Sequence, residues 1–158
     1  IQSGNATGLM FTGPVGSGKT FLACSVANAL LEKGKQVLFL VVPDLLDELR
    51  ATYNRKERSD YTELDLLDAA RTVPVLILDD LGAHNYTDWT RNRIFTIINY
   101  RMNYRLPTII TTNLDIHELG EYLGERTSSR LFQMCRGFRL FVERDIRMLK
   151  YQERESKR

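Results

Sequence analysis

Gly13-Pro14-Val15-Gly16-Ser17-Gly18-Lys19-Thr20 is a complete G-x-x-x-x-G-K-[ST] stretch, and what flanks it decides the fold. Gly8-Leu9-Met10-Phe11-Thr12 reads as a buried strand leading in. Leu22, Val26, Ala29 and Leu30 recur at the i, i+4, i+7, i+8 spacing of a helix leading out, which Gly34 is placed to end. Strand, glycine-rich turn and helix in that order make a phosphate-binding loop. Its glycines let the main chain curl until successive N–H groups point inward, and the helix adds the positive end of its dipole. All eight residues from Gly13 to Thr20, with Pro14, Val15 and Ser17 among them, therefore form the expected nucleotide cradle. Lys19 is placed to reach the β and γ oxygens of ATP, and the Thr20 hydroxyl to ligate Mg²⁺.

Downstream segments supply the partners such a loop needs. Gln36 to Val42 is a β-branched and aromatic run with little alternation, as expected of a parallel strand covered on both faces. Pro43 and Asp44 open a helix carrying Leu45, Leu46, Leu49 and Tyr53 on one side. A polar loop from Asn54 to Tyr61 leads to a second helix starting at Thr62, where Thr62 and Asp65 match a capping box and Leu64, Leu67 and Ala70 share a face. Two helices between consecutive strands is one more than a minimal βαβ unit needs, so the extra piece reads as an insertion. Pro74 to Asp80 is a third strand, apolar until it ends in Asp79 and Asp80, about sixty residues after the phosphate loop. Ligands of open parallel sheets bind beyond the carboxyl ends of strands, which turns this pair toward the loop. Asp79 then holds Mg²⁺ and Asp80 polarises the attacking water.

Thr87 to Arg105 carries Ile94, Ile97, Ile98 and Met102 at helical spacing, and the flanking Arg91, Arg93, Arg101 and Arg105 read as a solvated basic face. A fourth strand, Pro107 to Asn113, ends in an amide that can hydrogen-bond the attacking water or the γ-phosphate, the alternative being an Asn that starts a turn. A helix from Leu123 to Cys135 places Arg126 and Arg130 on one face, and Arg139-Leu140-Phe141-Val142 reads as the closing strand.

Composition limits the alternatives. A chain of 158 residues, 43% hydrophobic and 27% charged, is one domain of ordinary globular type. Its apolar runs fall far short of the roughly 18 residues of a membrane helix, and a cytoplasmic location is expected. Cys24 and Cys135 stand alone in helical apolar patterns and read as buried reduced thiols, while two histidines, His84 and His117, leave no His-based metal site. The charge of +2 is uneven: from Arg126 onward there are ten Lys or Arg against four Asp or Glu, which suits either a solvated face or a polyanion.

Together the phosphate loop, the Leu-Ile-Leu-Asp-Asp-Leu-Gly strand end and Thr111-Thr112-Asn113 resemble the AAA+ ATPases. Leu123-Gly124-Glu125-Arg126-Thr127-Ser128-Ser129-Arg130-Leu131, followed by Asp145-Ile146-Arg147, is similar to the DnaC/DnaI-type replicative helicase loaders in particular. The resemblance implies a five-stranded parallel sheet of order 5-1-4-3-2 with helices on both faces and no substantial C-terminal lid, since eleven residues follow Arg147. It makes Asn113 the sensor 1 residue, Arg130 the arginine finger offered to a neighbouring subunit with Arg126 as second candidate, and Arg147 the sensor 2 residue. It also implies slow ATP hydrolysis, because Asp80 replaces a commoner Glu. The partners it implies are a hexameric helicase and single-stranded DNA, the DNA met by Arg50, Tyr53, Arg55, Lys56 and Arg58 of the insertion. A further N-terminal, helicase-gripping domain is expected outside residues 1–158. Alternatives are the IstB-like transposition helpers, a small-molecule kinase, which the Asp-Asp and Asn pattern disfavours, and a nucleotide-gated module that does not hydrolyse.

Overall fold

A computed structural model describes residues 7–54, 63–83 and 85–157. Five parallel strands, β1 (Gly8–Thr12), β2 (Val37–Val41), β3 (Val75–Asp79), β4 (Thr108–Thr112) and β5 (Cys135–Arg139), form one sheet in the order β2-β3-β4-β1-β5. This is the expected AAA+ arrangement. The helices are α1 (Lys19–Glu32), α2 (Val42–Asn54), α3 (Glu63–Thr72), α4 (Asp88–Asn103), α5 (Ile116–Leu123), α6 (Glu125–Met134) and α7 (Ile146–Glu155).

Strict alternation along the central strands sends side chains to two separate cores. Phe11, Val75, Ile77 and Ile109 meet Ala23 and Ala27 of α1 on one face. Met10, Leu76, Leu78 and Ile110 meet Leu45, Leu49, Leu67, Ile94, Ile98, Leu119 and Leu131 of α2 to α6 on the other. Burial on both faces explains why β3 and β4 show near-continuous apolar or Thr sequence.

Several local expectations are corrected. The buried stripe of α1 runs through Ala23 and Ala27, with Val26 and Leu30 beside it, whereas Leu22 and Ala29 face solvent: small residues let the helix lie close to the sheet. β2 is an edge strand and only half-buried throughout. Leu64 is exposed, while Leu67 and Ala70 are buried as expected. The helix expected from Leu123 to Cys135 is α6, which starts only at Glu125 after a break at Gly124, whose φ of 83° no continuing helix allows; Leu123 ends the preceding α5. The closing strand begins at Cys135 rather than Arg139, because β1 pairs in register from Gly8 opposite Cys135. Cys135 is therefore a buried strand residue and Cys24 an exposed helical one. The start of the second insertion helix at Thr62 and the loop residues 55–61 lie outside the described residues, and Asn54 belongs to α2.

Arg101 departs furthest from expectation. Instead of joining a solvated face it is fully buried, with its guanidinium donating to Thr108 Oγ1 (2.8 Å) and to the carbonyls of Ala70 (3.1 Å), Arg71 (3.1 Å), Val73 (2.8 Å), Pro74 (3.4 Å) and Pro107 (2.7 Å). These are the carbonyls at the end of α3 and at the entries to β3 and β4. Burial lowers its pKa to about 10. A planar five-donor fork suits this task because so many acceptors converge there.

Candidate nucleotide-binding site

The loop between β1 and α1 is held by its glycines. Gly18, the N-cap of α1, has φ 91° and Gly16 has φ 76°, both left-handed. A Cβ on Gly16 would also run into the Asp145 carboxylate, so this position has room for backbone alone.

Lys19 is 6% exposed, and its Nζ donates to Gly13 O (2.9 Å), Pro14 O (2.7 Å) and Ser17 Oγ (3.2 Å). Each acceptor is neutral. No ion pair reaches the ammonium among the described residues. Burial lowers its pKa, with Asp80 pulling it up, Arg147 pushing it down and Asp79 pulling it up more weakly. A buried cation held by neutral oxygens is incompletely compensated, and a phosphate is the anion this loop fits.

Asp79 closes β3 at 4% exposure. Its Oδ1 accepts from Thr111 Oγ1 (2.6 Å), and both of its carboxylate oxygens accept from Thr20 Oγ1 (2.9 and 3.2 Å). A hydroxyl and a carboxylate this close form a hard-oxygen pair. Mg²⁺ favours such a site, because it keeps water and phosphate ligands rather than filling a protein cage. No cluster of three or more His, Cys, Asp or Glu that could make such a cage occurs among the described residues.

Asp80 adopts φ 59°, which turns the chain sharply at the end of the strand and faces its side chain into the cavity. Its N–H donates to Thr111 Oγ1 (3.0 Å), so one hydroxyl holds both aspartates. Beyond the turn, Gly82 N donates to Tyr86 Oη (2.7 Å), and burial, chiefly, pushes that phenol up to about 12.

Across a cavity of ≈ 440 Å³, Gly16, Gly18, Lys19 and Thr20 face Asp80, Asn113 and Arg147. Arg147 arrives on α7, which docks on the loop through Ile146 N donating to Gly16 O (3.0 Å), while Asp145 caps the helix by accepting from Arg147 N (2.8 Å). Arg130 is not among these residues. It stands on α6, where Nε donates to Asn99 Oδ1 (2.9 Å) and Nη1 to Arg126 O (3.1 Å).

Two residues of the site are given no role by the motifs. Thr111 is visible only as the residue two before Asn113, on the same face of β4. Lys150 lies one helical turn after Arg147, lines the cavity, and sits 5.6 Å from the centroid of the exposed Phe21 ring. Of the residues suggested for DNA, Arg50 makes an exposed ion pair with Asp47 (3.4 Å) and Tyr53 falls in the last turn of α2. Arg55, Lys56 and Arg58 lie outside the described residues. No helix among the described residues is long and apolar enough to cross a membrane.

The sequence pattern describing IstB-like ATP binding proteins matches residues 3–132. The chain is similar to the replicative helicase loader DnaI of Bacillus subtilis, at 35% identity over 119 residues that cover 75% of this chain and 37% of that protein. To the replicative helicase loader DnaC of Escherichia coli K12 it is 31% identical over 128 residues, covering 81% of this chain and 51% of the other. The chain thus spans about half or less of the curated relatives it matches. A crystal structure of the DnaC helicase loader superposes with a TM-score of 0.76 at 31% identity, over 89% of this chain and 82% of that one.

Proposed function

The chain belongs to the family of IstB-like ATP binding proteins, and from that premise we propose that it is the ATP-hydrolysing core of a replicative helicase loader. In this reading it places a hexameric DNA helicase on single-stranded DNA in the cytoplasm, through assembly controlled by ATP. The similarity to two proteins named replicative helicase loaders supports the choice of partner. The observation that carries the mechanism is the division of the site: Lys19, Thr20, Asp80, Asn113 and Arg147 line one cavity, and Arg130 stands outside it on α6.

Each residue then has a task. The loop amides and Lys19 bind the β- and γ-phosphates, and Arg147 steadies the same phosphates from α7. Thr20 and Asp79 hold Mg²⁺, which when bound neutralises phosphate charge. Asp80 accepts the proton of the attacking water, which Asn113 orients. One carbon shorter than glutamate, Asp80 stands further from that water, and turnover suited to a switch follows. Arg130 of a neighbouring subunit completes the site, so ATP favours the assembled state. An arginine supplied in trans accelerates phosphoryl transfer by about 10³ to 10⁵.

The test is ATP turnover by the full-length protein, alone and with single-stranded DNA or helicase, with Lys19→Ala as the blank. Arg130→Ala is expected to keep ATP affinity and lose stimulated turnover; unchanged stimulation in that variant removes its role. The family match favours one second reading, a transposition helper. Capture of a transposase instead of a hexameric helicase by the tagged protein selects it, and bound ATP without turnover selects a nucleotide-gated module.

A further inference from the structure

On the face formed by α4 and α6, Arg126 and Arg130 both lie over one ring. Their guanidinium carbons are 4.7 and 5.1 Å from the centroid of Phe95. Phe95 and Asn99 follow each other by one turn on α4, and both are half-buried. Arg130 is tied further by Nε to Asn99 Oδ1 (2.9 Å) and by Nη1 to the Arg126 carbonyl (3.1 Å). Among the described residues neither guanidinium pairs with a carboxylate.

Two like charges at i, i+4 on a helix repel each other. Here the π-face of Phe95 and two neutral oxygens hold them together without a counter-charge. The hydrogen bonds engage Nε and Nη1 of Arg130 and leave Nη2 without a protein acceptor among the described residues. Such a paired, oriented and unneutralised cation is suited to a phosphate, which accepts from planar guanidinium donors. A flexible arginine on open surface would have to be ordered at the moment of reaction; one already seated would not.

We propose that Phe95 and Asn99 are positioning residues that seat the Arg126–Arg130 pair for the triphosphate bound by a neighbouring copy of this chain. The proposal rests on the reading of Arg130 as a residue acting in trans. Phe95 orients both guanidiniums by its ring face, and Asn99 sets the rotation of Arg130 through Nε. Neither touches nucleotide.

Stimulated ATP turnover of the full-length protein tests it, in parent, Arg130→Ala, Asn99→Ala, Phe95→Leu and Phe95→Tyr forms. Asn99→Ala and Phe95→Leu are expected to lower stimulated kcat by about 10²-fold, the cost of a misplaced catalytic group, with KM for ATP unchanged. Phe95→Tyr keeps the ring and is expected to keep the rate. Mixing Phe95→Leu with Lys19→Ala provides the readout that a merely structural lesion does not move. The Lys19→Ala subunit offers a seated arginine pair and the Phe95→Leu subunit an intact ATP site, so turnover on mixing rises well above that of either variant alone. Parent-like turnover in both Asn99→Ala and Phe95→Leu, or no recovery on mixing, overturns the seat. If Arg130→Ala itself retains stimulated turnover, the trans reading falls instead; if Arg130→Ala is inactive while both seat variants are active, only the seat falls.

Discussion

Replacing Arg101 by Met keeps a long, flexible side chain in place and removes every donor. Six oxygens lose a partner, but the losses are unequal. Pro107 O still accepts from Leu76 N (3.1 Å), and Thr108 Oγ1 can still donate to Leu106 O (3.1 Å). The carbonyls of Ala70, Arg71 and Val73, at the end of α3, lose their guanidinium donor. At about 1–3 kcal/mol for each buried acceptor left without a partner, three of them cost about 6 kcal/mol. Relief of guanidinium desolvation, the cause that lowers its pKa to about 10, returns part of that. A net loss of about 3 kcal/mol is expected, within the range for breaking a buried charged network. Urea unfolding followed by circular dichroism is expected to show a lower midpoint with the m-value unchanged. Arg101→Lys should fall nearly as far, because an ammonium has three donors and no planar fork to span α3, β3 and β4. Nucleotide affinity should be kept in both variants, since Arg101 lies at the entries to the strands and the candidate nucleotide cavity at their carboxyl ends. A loss below about 1 kcal/mol for Arg101→Met would refute the claim that these carbonyls depend on one side chain.

Asp80→Asn should keep nucleotide binding and reduce turnover by about 10² to 10⁴-fold, the range for a general base, measured by phosphate release against equilibrium binding of a fluorescent ATP analogue. Thr111→Val preserves shape but strips the hydroxyl shared by Asp79 and the Asp80 N–H. It should weaken the Mg²⁺ dependence of nucleotide affinity and cost about 1–3 kcal/mol of stability, read by titration with and without Mg²⁺ and by thermal unfolding. Burial raises the Cys135 thiol to about 12, so at pH 8 it holds almost no thiolate, whereas Cys24 is exposed. Ellman's reagent at pH 8 should therefore count one thiol in the native protein and two after denaturation.

Much of this protein is decided by local sequence. The glycine spacing of the phosphate loop, the apolar run into Asp79 and Asp80, and Thr111-Thr112-Asn113 each carry their own backbone and burial requirements within a few residues. β1, β3 and β4 are legible for that reason, and Lys19, Thr20, Asp80 and Asn113 meet at one sheet edge because parallel strands all end on the same side. The start of β5 is not local. It is set by pairing with β1 from Gly8 onward, a contact across more than a hundred residues. Charge is ambiguous in the same way. Arg101 and Arg105 look alike in sequence, yet one is fully buried against the carbonyls of residues 70–74 and of Pro107 and the other is exposed. The double duty of Thr111, the approach of Arg147 and Lys150 on α7, and the placing of Arg126 and Arg130 over Phe95 likewise depend on how elements pack. Sequence states which backbone shapes and charges are present; only the tertiary structure brings together groups far apart in the chain, and burial and pairing there decide whether an arginine becomes a buried staple, one of a pair held over an aromatic ring or part of the solvent face.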